Sequence, residues 1–267
     1  MNTVIAKRRR AAAALVTAAL LLPLTACGSD DDKKDEGGTK DGGTRQRADL
    51  TVLAAASLTD VFKTAGAAYE DAHPGTKITF SFEGSQELAA KVRQGAPADA
   101  LVTADTKTMD GLRSDTGTPT VIAKNRLVIA TGKGNPKKVE QLKDLADKDL
   151  KVVLAAPEVP VGRYSEQILE RQKVDVKPVS QEPNVRAVLS KVELGEADAG
   201  LVYKTDVQAA DGKAEGVDIP DGQNAIAAYP AATLKTSEHT AAAAAFVTWL
   251  TSAEAQKILR DAGFQKP

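Results

Sequence analysis

Residues 50–103 read LTVLAAASLTDVFKTAGAAYEDAHPGTKITFSFEGSQELAAKVRQGAPADALVT, and the order of patterns within them decides the fold class. Leu50 to Ala56 is a short apolar run of the kind that forms a buried strand. Ser57-Leu58-Thr59-Asp60 has the form of a capping box. Leu58, Val61, Phe62, Ala65, Ala68 and Tyr69 then recur at helical spacing until His73-Pro74-Gly75 stops the helix. Thr76 to Phe82 alternates as a strand does. Gly84-Ser85 opens a second helix with Leu88, Ala89 and Val92 on one face, and Gly95-Ala96-Pro97 closes it. Ala98 to Thr103 is a third strand. Strand, helix, strand, helix, strand at this spacing predicts a parallel α/β sheet.

The alternation continues toward the carboxyl end. Arg126–Thr131, Lys151–Ala155, Ala199–Tyr203 and Asn224–Ala228 read as strands. Helices are expected over Val139–Ala146, over Arg163–Gln172, and after Glu182-Pro183-Asn184, with Val185, Val188, Leu189 and Val192 inward. Two more close the chain, Ala241–Leu250 and Ala253–Ala262, and Trp249 is placed in the core.

Working outward to the amino terminus, Lys7-Arg8-Arg9-Arg10 precedes an uncharged, mostly apolar run from Ala11 to Leu24, the order of an export signal. That run is shorter than the ~20 residues needed to span a bilayer. Leu24-Thr25-Ala26-Cys27 resembles the lipobox of bacterial lipoproteins, which implies a lipid on Cys27 and a membrane anchor on the extracytoplasmic face. In residues 28–48, eleven of 21 residues are charged and five are Gly, so this segment has nothing to bury and reads as a disordered tether. Such a coil spans about 25 Å on average.

Composition narrows the function. Beyond residue 26 there are 31 basic against 36 acidic residues, a net of −5, which argues against a nucleic-acid binder. One cysteine in 267 residues excludes an internal disulfide or a Cys-cluster metal site, and two histidines argue against a His-rich zinc site. No P-loop, nucleophile elbow or metal-ligand spacing occurs, and no cofactor is expected. Asp99 and Asp105, flanking the third strand, read as loop caps rather than as an acid–base pair. His73 and His239 read as surface residues. Lys124 and Arg126 could contact a ligand or flank a crossing between lobes.

The informative features are hydroxyls at strand-to-helix junctions. Ser57 and Ser85 each stand at a predicted helix start, where free N–H groups and the positive end of the helix dipole favour an anion. Each alone is accounted for as a helix cap. Together, after two strands of one sheet, they would face a common crevice beyond the strands' carboxyl ends.

Ala54-Ala55-Ala56-Ser57-Leu58-Thr59-Asp60 resembles the opening of the periplasmic molybdate-binding proteins of ABC transporters. So do Gly95-Ala96-Pro97-Ala98-Asp99 with Ala104-Asp105, and the stretch from Asn184-Val185-Arg186 to Gly200-Leu201-Val202-Tyr203-Lys204-Thr205-Asp206. Tyr229-Pro230 and the helices of residues 246–264 look like the wider type II binding-protein superfamily. The resemblance covers roughly residues 49–267. It implies an α/β fold of two lobes, each a mostly parallel sheet flanked by helices: residues 49–126 plus 230–267, and 127–229. It also implies a monomer that is not an enzyme, with a membrane permease as partner.

Residue by residue, the family's ligand contacts fall on Ser57 and Ser85 through hydroxyl and backbone N–H, on the N–H groups of Val161 and Val185, and on the Tyr203 hydroxyl. These would touch molybdate or tungstate through oxyanion oxygens, not as direct metal ligands. None of the five is Lys or Arg, and a shell of neutral donors suits a fully ionised dianion. Glu83 departs from the family pattern and must face solvent or pair with a cation, since a free carboxylate would repel the ligand. Val161 replaces a smaller residue, tolerable where only its N–H is used. Sulfate or another oxyanion on the same scaffold remains open. So do an enzyme using Asp99, Asp105 or Tyr203, and a structural surface lipoprotein.

Overall fold

A computed structural model describes residues 48–267. The expected export signal, Cys27 and the expected tether as far as residue 47 lie outside the described residues. Ala48, assigned above to the tether, is already strand: β1 (Ala48–Ala55) pairs in parallel with β2 (Thr76–Glu83) from Ala48 and Thr76 onward. β1 also pairs in parallel with β3 (Ala100–Val102). Being central, β1 is buried on both faces, which is why its sequence reads as a continuous apolar run. Leu50, Val52 and Ala54 meet the face covered by α1 (Thr59–Ala72), with Val61, Phe62 and Tyr69. Leu53 points the other way, toward Leu88, Ala89 and Val92 of α2 (Ser85–Arg93).

The same device recurs further along. β5 (Val152–Ala155) pairs in parallel with β6 (Ser180–Glu182) and β7 (Ala199–Tyr203). The helices α4 (Pro160–Gln172) and α5 (Val185–Glu193) are its crossovers. Between the two parallel groups run two long antiparallel strands, β4 (Thr120–Gly132) and β9 (Ile226–Thr233). β9 pairs β3 and the first part of β4, residues 120–126. From Leu127 onward β4 pairs β7 and the short β8 (Ala214–Asp218). The sheet order is therefore β2-β1-β3-β9-β4-β7-β5-β6, with β8 beside β4. Two sheet halves share a single strand, and the direction of pairing changes in the middle.

Four local differences from the sequence reading have plain causes. β4 begins at Thr120 rather than at Arg126, because its first part finds backbone partners in β9 although it carries Lys124 and Arg126. Residues 139–146 hold a 3-10 turn, Leu142–Ala146, and not an α-helix; the Asp144 carboxylate binds the N–H groups of Glu140 and Gln141 and closes the turn early. α4 starts at Pro160, three residues before the expected Arg163, because proline at the first helical position needs no N–H partner. The short β6, β8, α3 (Thr106–Asp110) and α6 (Lys204–Ala209) carry too few residues for a periodic signal.

The carboxyl end folds back as α7 (Thr240–Trp249) and α8 (Ala253–Asp261). Phe246 and Trp249 meet the Tyr69 ring edge-on at 5.1 and 5.2 Å between centroids, so Trp249 rims the aromatic cluster half-buried and not fully enclosed. Among the described residues, no helix is long and apolar enough to cross a membrane.

Candidate functional site

Parallel strands of both sheet halves deliver helix starts to one place. After β1 the chain makes a 3-10 turn, Ala56–Leu58, before α1. Ser57 lies inside that turn and caps nothing: α1 begins after Leu58 without a side-chain cap. The expected capping box is thus absent. The Ser57 hydroxyl instead meets the Tyr229 hydroxyl at 2.9 Å. Ser85 is the first residue of α2, after Gly84, and the Glu87 carboxylate reaches back to accept the Gly84 N–H at 2.9 Å. The Ser85 oxygen accepts the Ala104 N–H at 3.0 Å. Both serine oxygens are therefore engaged from behind, and neither hydroxyl is spent on its own helix.

Val161 is the second residue of α4, inside its first turn, and Val185 is the first residue of α5. N–H groups in a first turn have no partner within the helix. Asn184 caps α5 by accepting the Ala187 N–H at 3.0 Å and leaves the Val185 N–H outside that arrangement. Tyr203 ends β7, is 1% exposed, and its hydroxyl has no hydrogen-bond partner among the described residues. Burial raises its pKa well above the ordinary value, with Tyr229, Tyr164, Asp105 and Asp206 adding to the rise, so the hydroxyl keeps its proton and is a donor.

All five residues carried over by the resemblance, Ser57, Ser85, Val161, Val185 and Tyr203, line one hollow. Its volume is ≈ 10 Å³, about the room that a single water-sized group needs. Ala55, Ala56, Gly84, Ala104, Val159, Pro160 and Asn184 complete the wall together with Glu83, and among the described residues no Lys or Arg lines it. Among the described residues, Glu83 is the one charged group in the lining. Its carboxylate is paired with Lys91 and accepts the Ser81 hydroxyl at 3.1 Å, so its charge is compensated by a neighbouring cation, as the sequence required. A buried donor without a partner, two serine hydroxyls and helix-start N–H groups make a donor-rich shell. Its chemistry fits an acceptor-only anion.

The other candidates go elsewhere. Asp105 caps α3 through the Thr108 N–H at 3.0 Å and holds Arg163 of α4. Asp99 accepts the Thr51 N–H at 2.7 Å, the Ser237 hydroxyl at 2.6 Å and the His239 ring at 3.2 Å. Burial would raise its pKa, but those bonds prevail and hold it below the usual carboxylate value. Arg126 pairs with Asp221, and the Lys124 backbone exchanges bonds with Gln265; neither residue lines the hollow. Sequence reasoning missed the partners behind the serines. Tyr229 carried no periodic signal of its own, Arg163 was read only as a helix start, and Arg186 entered only within a family-like stretch.

A family model for bacterial extracellular solute-binding proteins matches residues 50–265. A protein of Mycobacterium tuberculosis described as molybdate-binding protein ModA is 38% identical over 229 residues, covering 85% of this chain and 88% of that one. A Bacillus subtilis protein described as a putative ABC transporter substrate-binding lipoprotein, YvgL, is 32% identical, covering 83% and 88%. Among solved structures, the substrate-binding domain of a putative molybdenum ABC transporter from Clostridium difficile superposes with a TM-score of 0.62. It is 27% identical, and the match covers 82% of this chain and 99% of that one.

Proposed function

Since this chain belongs to the bacterial extracellular solute-binding proteins, we propose that its solute is molybdate, with tungstate as a close substitute, presented to an ABC importer. The observation that carries this reading is the hollow lined by Ser57, Ser85, Val161, Val185 and Tyr203, rich in donors and with no lysine or arginine among its described lining residues. A fully ionised tetrahedral dianion offers only acceptors, so every group in such a shell can donate to it. A protonated phosphate brings its own O–H, which two backbone N–H groups of this set have no means to accept. Neutral donors also leave no protein cation buried and unpaired when the ligand departs.

In this reading the strand shared by the two sheet halves marks the passage between two lobes, residues 49–126 plus 230–267 and residues 127–229. Ser57 and Ser85 come from the first lobe; Val161, Val185 and Tyr203 come from the second. Ligand completes a shell that neither half owns, which favours the arrangement a permease would recognise. Cys27 carries the lipid that holds the protein at the outer face of the membrane. The lipobox-like Leu24-Thr25-Ala26-Cys27 supports this, as does the lipoprotein description of the Bacillus relative. The protein acts by binding alone: Asp99 and Asp105 are both committed to caps and ion pairs.

Calorimetric titration of residues 27–267 with molybdate, tungstate, sulfate and phosphate tests the ligand. Molybdate and tungstate are expected to bind tightly and with similar affinity, and phosphate not at all. Tight sulfate binding with no molybdate binding would overturn the assignment.

A further inference from the structure

Arg186 is the second residue of α5, directly after Val185, and it does not line the hollow. A cation there stands at the positive end of the helix dipole, so α5 itself gives no reason for it. Its partners are two carboxylates from other elements. One terminal nitrogen lies 2.8 Å from Oδ2 of Asp60, the second residue of α1. Its Nε lies 3.0 Å from Oδ1 of Asp206 on α6, a contact of charge without the alignment of a hydrogen bond. The other oxygen of Asp206 accepts the Tyr203 N–H at 3.1 Å. The Asp206 side chain is fully buried, whereas that of Asp60 is half exposed. Each of the three charged residues adjoins a segment that carries part of the site. Asp60 follows the turn that holds Ser57, Arg186 follows Val185, and Asp206 holds the backbone of Tyr203.

We propose that Arg186 is a positioning residue whose guanidinium spans the two lobes and sets the Ser57 turn of one against Val185 and Tyr203 of the other. This rests on the oxyanion reading of the site and on the lobes proposed with it. In that division Asp60 belongs to the first lobe, and Arg186 and Asp206 belong to the second. Asp206 keeps Arg186 in place within its own lobe, and Asp60 is the partner gained when the lobes meet. The consequence is kinetic. A tie made only when the shell is complete slows the release of bound ligand and leaves its entry nearly unchanged. Arg163 repeats the design. It stands in the first turn of α4 behind Val161 and binds Asp105 and Thr108. Asp105 in turn follows Ala104, whose N–H the Ser85 oxygen accepts. Positive charge is thus kept one layer behind the hollow, where it holds the neutral donors in register.

Asp60→Ala and Arg186→Gln, singly and together, test this. The readouts are calorimetric titration with sodium molybdate, the rate of molybdate release into excess tungstate, and thermal melts without ligand. Asp60→Ala is expected to weaken binding about threefold, the size of an exposed ion pair, through faster release. Arg186→Gln is expected to weaken it on the order of tenfold, because Val185 and Tyr203 lose their tie as well. In the Arg186→Gln background Asp60→Ala should have no further effect on affinity. An equal loss from Asp60→Ala in both backgrounds, or none in either, overturns the proposal. So does a coupling between the two residues that is as large in the ligand-free melts as in affinity, since the pair would then be merely structural. Should Arg186→Gln not fold, Asp60→Ala decides alone: faster release with unchanged association is expected, and unchanged release overturns the proposal. If the unaltered protein binds none of molybdate, tungstate and sulfate, the oxyanion reading itself fails and the positioning role falls with it.

Discussion

A serine at a helix start ordinarily spends its oxygen on the N–H groups of that helix, yet Ser57 bonds with the Tyr229 hydroxyl and Ser85 accepts from Ala104, 172 and 19 residues away in sequence. Their local sequence is compatible with capping, and only tertiary neighbours divert them. Asp206 is a second residue whose behaviour follows from its surroundings. It is fully buried, accepts the Tyr203 N–H at 3.1 Å and stands 3.0 Å from Arg186. Burial pushes its pKa up to about 7, against the pull of Arg186 and of that N–H. Because the folded value lies above the unfolded one, its contribution to stability is full below about pH 4 and is lost as the pH rises through about 7. Asp206→Asn abolishes this titration. The melting temperature of the unaltered protein relative to the variant is therefore expected to fall between pH 4.5 and pH 8, and a constant difference would refute the raised pKa.

At the scale of elements, the first turn of α4 shows what a helix start needs in order to reach a site. Pro160 presets the backbone, and Gly162 packs against the chain that leads into it. A Cβ on Gly162 would stand 2.0 Å from the Ala156 carbonyl oxygen and 2.8 Å from that of Ala155. Gly162→Ala must therefore push the turn, with Val161, away from the hollow. The expected outcome is a loss of about 1–3 kcal/mol of stability from overpacking together with weaker oxyanion binding. Thermal melts and titration check the two effects, and unchanged affinity would take the Val161 N–H out of the site. Val159-Pro160-Val161-Gly162 was legible as a special loop, because proline and glycine are strong punctuation. That the loop was already helix was not legible, since proline marks a helix start as readily as a turn.

On the scale of the whole molecule, the elements around the hollow are tied together by side chains that do not line it. Arg163 of α4 binds Asp105, the cap of α3, and donates to Thr108 at 2.9 Å. Arg186 of α5 joins Asp60 of α1 at 2.8 Å and Asp206 of α6 at 3.0 Å. Gln86 of α2 donates to the Pro183 carbonyl at 2.7 Å, where the β2–α2 and β6–α5 turns approach. A Cβ on Gly84 would lie 2.5 Å from that same carbonyl, so the approach depends on glycine. Asp105 is almost fully buried, and removal of its cationic partner leaves an uncompensated charge. Arg163→Ala is therefore expected to cost about 3 kcal/mol of stability and to weaken oxyanion binding with it. Denaturant unfolding and titration measure both, and a variant that binds and melts as the unaltered protein does would show that Arg163 ties nothing.

The alternation of strands and helices from Leu50 to Thr103, and the helix-start positions of Ser85 and Val185, were determined by the sequence itself. Local periodicity and turn chemistry act over a few residues, and a chain carries that information wherever it is read. The pairing of β4 with β9 on one stretch and with β7 on the next was decided only by the tertiary structure, as was the meeting of the Ser57 and Tyr229 hydroxyls. Each depends on a partner far away in the chain, and a hydroxyl has no preferred direction until folding places another group behind it.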